Sequence, residues 1–248
     1  MDFFITIFTE AIYRPLFNAL VVIYNIIPGQ DLGIAIIVLT LGIKTLFFPL
    51  SKKATDSQRA LQEIQPKIKE IQKKHKDDKE VQAKKMMELW QEHQVNPLSG
   101  CLPILIQLPI LLGLYRVFYN GLSFGDNGIL YSFISQPENF HPFFLGLIDL
   151  STPNVVLAVL SGFLMFVQAK VTLSNKTKKS TSKVSGIDMT AMMNSQMTYF
   201  MPGLIGLISL TLPAALPLYW IVVTLFTIGQ HYILYIRPKK YEQSTGKN

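Results

Sequence analysis

The sequence predicts an all-α, polytopic membrane protein. It should have five transmembrane helices, a cytoplasmic helical hairpin after the first of them, and an N-terminal amphipathic helix lying in the membrane interface. Three observations carry this expectation. Hydrophobic residues fill 49% of the 248 positions, with a mean hydropathy of +0.30. Five runs, 32–51, 101–120, 153–171, 196–212 and 215–236, are apolar and near the roughly 20 helical residues that cross a bilayer core of about 30 Å. Charge is segregated: of 23 Lys and Arg, eleven lie in 51–100, four in 171–198 and four in 237–248. A net charge of +7 distributed in this way fits the positive-inside pattern of membrane proteins better than a nucleic-acid surface.

The first element, 3–27, reads "FFITIFTEAIYRPLFNALVVIYNII". Glu10, Arg14 and Pro15 interrupt its middle, so it is expected to lie in the outer interface with its apolar face down rather than to cross. It has no basic start and no small-residue cleavage pattern, so it does not read as a cleaved signal, and no early cysteine offers a lipoprotein attachment site. The division expected is 1–31 interfacial helix and linker, 32–51 first span, 52–100 hairpin, 101–236 the remaining four spans, and 237–248 a short basic tail. Placing the Lys/Arg-rich stretches inside puts the N-terminus out and the C-terminus in, as five spans require.

The first span contains "GIKTLFFPL", residues 42–50. Its Lys44 lies about 18 Å along a helix that starts at Leu32. No Asp or Glu falls in any of the five runs to neutralise it. An unpaired charge at such depth costs about 2.5–3.5 kcal/mol on insertion scales. Two readings follow. The side chain snorkels toward the inner interface, or water reaches it in a cavity.

Between the first two spans, Leu61, Ile64, Ile68 and Ile71 repeat at helical spacing. "KHKDDKE" then reads as a turn, and Val81, Met86, Leu89 and Trp90 supply a second apolar face. The expectation is an antiparallel helical hairpin in the cytoplasm, kinked or staggered near Pro66. The later spans carry modestly polar stripes. Thr40, Lys44 and Ser51 share one helical face. So do Ser161, Met165, Gln168 and Thr172, and likewise Trp220, Thr224, Thr227 and His231. The second span offers Gln107 and Tyr115. Such faces meet protein or water more readily than lipid, although Ser, Thr and Gln also simply bond to neighbouring helices. Arg116 is placed for snorkelling to the outer headgroups. Met189, Met192, Met193, Met197 and Met201 cluster near the inner end of the fourth span.

Catalytic patterns are missing from the sequence. There is no G-x-S-x-G, no H-E-x-x-H, no phosphate-binding loop and no intramembrane carboxylate pair. The four histidines are scattered, and Cys101 is the only cysteine. A non-enzyme without cofactor or metal is expected.

Four stretches together resemble the YidC/Oxa/Alb family of membrane protein insertases: "IKTLFFPL", "LQEIQPKIKEIQKKHKDD", "NPLSGCLPILIQLPILLGLYRVF" and "FMPGLIGLISLTLPAALPLYWIVVTLFTIGQHYI". The resemblance covers about 12–236 and is most specific in 93–118 and 197–232. The chain looks like a minimal bacterial core of that family. The resemblance implies a five-helix core with a hydrophilic groove open to cytoplasm and lipid and closed toward the outside. It also implies a groove arginine five residues before the proline of an "FPL"-like motif. That position is Lys44 here, so the charge is kept but the guanidinium is not.

With the resemblance, the groove-lining candidates are Thr40, Gln107, Gln168, Trp220, Thr224 and Thr227. Met165, Met197, Met201 and Tyr219 are candidates for client contact. The partners implied are nascent membrane proteins and the lipid bilayer, with the ribosome, targeting factors and the secretion channel as further candidates; no nucleic-acid function is expected. The competing reading is a small anion transporter or channel with Lys44 in the ion path.

Overall fold

The structure, a computed structural model, describes residues 2–96, 102–119, 129–137, 140–173 and 196–236. In chain order it runs α1 (Asp2–Phe8), a π turn (Thr9–Tyr13), α2 (Arg14–Ile26), α3 (Leu32–Leu46), α4 (Phe48–Lys74), α5 (Lys79–Glu92) and α6 (Leu102–Tyr119). The strands β1 (Phe143–Phe144) and β2 (Ile148–Asp149) follow. Next come α7 (Val155–Leu173), a π turn (Gln196–Phe200), α8 (Met201–Ser209), α9 (Ala215–His231) and a closing π turn (Tyr232–Ile236). The chain forms two compact units, residues 45–109 and the remainder.

Among the described residues the chain is mostly helical, as expected, with one short ladder besides. β1 and β2 pair antiparallel through Phe143–Asp149 and Phe144–Ile148, a ladder too short to leave a period-2 pattern in the sequence.

The helices also differ from the five expected spans. Among the described residues three are long and apolar enough to cross a membrane: Ile5–Ile26, Val155–Thr172 and Ala215–Ile236. The bent pair Leu32–Leu46 and Phe48–Lys74 brings the number to four if it counts as one span. Gln107–Phe118 and Thr198–Ser209 are apolar but shorter. The reasons are local. Phe47 leaves helical geometry and Pro49 sits in the first turn of α4, where a proline fits a helix start but not an interior. Pro213 closes the corner after Ser209 in the same way.

In the larger unit one continuous core gathers the inner faces of α2, α3, α6 and α9. Phe17, Leu20, Val21 and Tyr24 meet Ala35, Ile36 and Leu39, Leu114, Val117 and Phe118, and Leu216, Leu218, Tyr219 and Trp220. The N-terminal helix therefore buries one face against protein. α7 packs against both α8 and α9 and turns Val155, Val156, Val159 and Phe163 outward. Leu207 of α8 and Leu225 of α9 are also exposed. A surface this apolar on three packed helices is what hydrocarbon solvates.

The α7–α8 contact rests on two glycines. A Cβ on Gly162 would lie 3.1 Å from the Gly206 Cα and 3.2 Å from the Pro202 carbonyl oxygen. Small residues let membrane helices approach in this way, and Ser161 and Ser209 meet beside them at 3.4 Å between hydroxyls. Gly162→Leu is expected to destabilise the detergent-solubilised protein by about 2 kcal/mol. Gly203→Leu, whose Cβ meets nothing within 4 Å, should leave its melting temperature unchanged. Differential scanning fluorimetry on the two variants checks the contrast.

In the smaller unit α4 and α5 pack through Ile64, Ile68, Leu89 and Val95, flanked by Leu61, Ile71, Met86 and Trp90. Asp78 caps α5 by accepting the Val81 amide at 3.0 Å, which fixes the turn at "KHKDDKE". Lys67 Nζ lies 2.8 Å from His93 Nε2 across the pair. The Lys85 ammonium, 2.6 Å from Glu88, holds that exposed carboxyl below the usual carboxylate range. The surface between the helical faces is otherwise solvated charge.

Candidate functional site

Lys44 lies in the last turn of α3 and is half-buried. Its Nζ stands 5.8 Å from the centre of the Phe226 ring of α9. Among the described residues no carboxylate and no hydrogen-bond acceptor meets it, so a ring face is the compensation that protein supplies. One turn earlier Thr40 is buried and donates to the Ile36 carbonyl at 2.6 Å. Ser51 falls beyond the break at Phe47, on α4, so the expected stripe of Thr40, Lys44 and Ser51 does not continue along one helix.

On α9, Trp220, Thr224 and His231 are buried, and Thr227 is half-buried with its hydroxyl donating to Val223 O at 2.8 Å. The polar face of α9 thus turns toward protein while Leu225 turns outward. On α7, Ser161 is buried and donates to the Ala158 carbonyl; Met165 and Gln168 are half-buried. Gln107 is half-buried in the smaller unit. Of the residues considered for client contact, Met201 is exposed, while Tyr219 is only 1% exposed within the helical core. The side chain of Met197 lies outside the described residues, as do Met189, Met192, Met193 and Cys101. Where hydroxyls bond to their own helix they are satisfied without a cross-helix partner. Lys44 is the member of the set left with a full charge and no polar partner among the described residues.

One end of the larger unit is closed by a feature that left no motif. Residues 129–137 and 140–145 run beside α2 and are stitched to it by polar side chains. Arg14 Nε and Asn18 Nδ2 both donate to the Ile129 carbonyl, at 3.2 and 2.8 Å. The Tyr131 amide donates to Asn18 Oδ1 at 2.7 Å, and Asn25 Nδ2 donates to Ser135 O at 2.8 Å. The His141 amide donates to the Tyr24 hydroxyl at 2.9 Å. Asp31 caps α3 through the Ile34 amide at 2.8 Å and accepts the Leu145 amide with its other oxygen. Phe144 lies on Gly33, where any Cβ would overlap its ring. The main chain then ties Ala215 N to Leu150 O at 3.1 Å and Ala214 N to Thr152 O at 3.0 Å. The ends of α2, α3, α7 and α9 are thereby joined under one irregular segment.

Arg116, expected to snorkel, is exposed and lays its guanidinium 4.8 Å from the Tyr13 ring centre, with Nη1 donating to Thr9 at 3.4 Å. Arg14 pairs with Glu10 at 2.9 Å and lies over Tyr131. The signal for these contacts in the sequence was the pair of charges at Glu10 and Arg14, which interrupts an apolar run.

The profile of the 60Kd inner membrane protein family matches residues 22–241. A protein named membrane protein insertase YidC from Oceanobacillus iheyensis is 36% identical over 206 residues, covering 82% of this chain and 73% of that protein. One so named from Clostridium perfringens is 34% identical, covering 93% of this chain and 94% of its own length. A third, from Magnetococcus marinus, is 36% identical over 87% of this chain, which spans about a third (34%) of that longer relative. With 3 to 4 candidate membrane spans and a match of this extent, the chain belongs to the 60Kd inner membrane protein family, the YidC/Oxa/Alb group.

Proposed function

We propose that this protein inserts transmembrane segments of client proteins into the bacterial cytoplasmic membrane, and that it does so without catalytic chemistry. The observation that carries the proposed mechanism is Lys44: a full charge on an apolar helix, half-buried, with no acid or acceptor among the described residues. Burial of a lone ammonium costs several kcal/mol unless water solvates it. Water at Lys44 makes a hydrophilic groove, with Thr40, Thr224, Thr227, Gln168 and Trp220 as its candidate walls.

In this mechanism the short polar flank of a client enters the groove, and the client's apolar segment lies against the exposed faces of α7 and α9. The groove shortens the stretch of hydrocarbon that the flank crosses, and Lys44 attracts acidic residues in it. Burial of the apolar segment in lipid drives release. Met165, Met201 and Met197 suit such contacts because thioethers adapt to varied shapes. Tyr219 acts from within the core, by shaping the wall behind them.

The topology proposed has five spans, N-terminus out and C-terminus in. The shorter apolar helices cross a locally thinned bilayer, an accommodation that costs only fractions of a kcal/mol per Å. The N-terminal helix, although long enough to cross, lies in the outer interface. What supports this is the irregular stretch 129–137 beside α2, since non-helical backbone facing lipid is not tolerated in hydrocarbon. The α4–α5 pair is then cytoplasmic, placed to receive clients and to meet the ribosome or targeting factors; the secretion channel is a further candidate partner.

Photocrosslinking in cells tests the route. A photoreactive amino acid at Phe163 or Leu225 should trap newly made membrane proteins during their insertion, and one at Met87, exposed on α5, should trap them earlier. If both helix positions capture only lipid, with clients inserting normally, the route along α7 and α9 is wrong.

A further inference from the structure

The turn between β1 and β2 presents large apolar side chains to solvent. Phe143, Leu145 and Leu147 are 40, 60 and 84% exposed. A surface hairpin has ready alternatives in polar residues, and here none is used. The backbone also pays a conformational cost for this display: Leu145 sits at φ 53°, a left-handed conformation that a leucine rarely adopts.

The conformation is held from several directions. The Leu145 amide donates to Asp31 at the start of α3, the Leu147 amide to Phe144 O at 3.1 Å, and the Leu150 amide to Pro142 O at 2.7 Å. Phe144 is anchored on Gly33, so alternate side chains point inward while 143, 145 and 147 point away. These amides already have partners, which lowers the cost of removing the tip from water. Six residues beyond the ladder α7 begins with the exposed Val155 and Val156, so the apolar display continues into the exposed apolar face of α7.

We infer that this hairpin tip is a membrane wedge: Phe143, Leu145 and Leu147 insert into the acyl region of the outer leaflet. Three apolar side chains on a rigid turn suit a depth of about 5–10 Å below the headgroups, as for other interfacial anchors. Because Asp31 and Gly33 couple the turn to α3, the wedge fixes the height in the bilayer of the helix that carries Lys44. The sidedness rests on the topology proposed above, whereas the insertion itself does not.

Spin labelling of the full-length protein in phosphatidylethanolamine/phosphatidylglycerol vesicles tests it. Cys101 is the only native cysteine, so Cys101→Ala gives the background. Leu147→Cys, on a side chain that packs against little, carries a nitroxide, and the exposed Ser151→Cys serves as reference. The ratio of oxygen to nickel-chelate accessibility at 147 should exceed that at 151 by roughly threefold or more. Equal ratios place the tip in water and overturn the wedge. Dipolar broadening between labels at 147 points to a second copy as the occupant, and also overturns it. Labelling of 151 in intact cells with an impermeant maleimide reads the sidedness separately: no reaction there refutes the topology, while the accessibility ratio still decides the insertion.

Discussion

Lys44→Glu should abolish most insertion of a client whose outer flank is acidic, by roughly tenfold or about 1.4 kcal/mol of barrier. The sign follows from charge alone. At Lys44 the flank meets an attractive ammonium with no competing carboxylate among the described residues. Glutamate reverses the interaction and leaves its own charge unpaired at the same depth. Lys44→Ala removes attraction without adding repulsion and should cost roughly threefold. Lys44→Arg keeps the charge and should retain activity within about twofold, although its planar fork is hydrated differently from an ammonium. A client with a neutral flank should respond far less to the whole series. Rates of protease protection for the two clients measure the effect; equal insertion of the acidic-flank client by all variants would remove the charge from the mechanism.

Gly33→Ala is expected to be the most damaging single methyl group in the protein. The new Cβ would overlap Phe144 Cδ2 and stand 2.5 Å from Cγ, so the ring must leave α3. That displacement opens the Leu145–Asp31 hydrogen bond and loosens the segment that joins the helix ends. Overpacking of this kind costs roughly 3 kcal/mol, seen as a lower melting temperature in detergent. Phe144→Ala in the same chain removes the obstacle, so the double variant should recover part of the loss. A double-mutant cycle with no coupling would show that the ring does not hold the segment there.

How much could be read from the sequence differs between these two sites. Lys44 was legible because a single charge in an apolar run has no ordinary explanation, and the α4–α5 faces were legible because Ile64, Ile68 and Leu89 keep helical spacing. The closure over α2 was not. Its bonds join side chains to main-chain carbonyls and amides more than a hundred positions away, as from Asn18 to Ile129, and such partners leave no periodic trace. The same contacts explain why 3–27, read as an interfacial helix from its charges, is also buried along one face. Span lengths are harder to read from hydropathy, which continues through the break at Phe47 and across the change from π to α geometry at Met201.

The central claim, insertion through a wet groove, is tested most directly with the purified protein alone in liposomes. A single-span client with a short acidic outer flank should become protease-protected without nucleotide, and the vesicles should stay tight to chloride. Anion flux through the protein with no gain in client insertion would contradict the account and favour a channel.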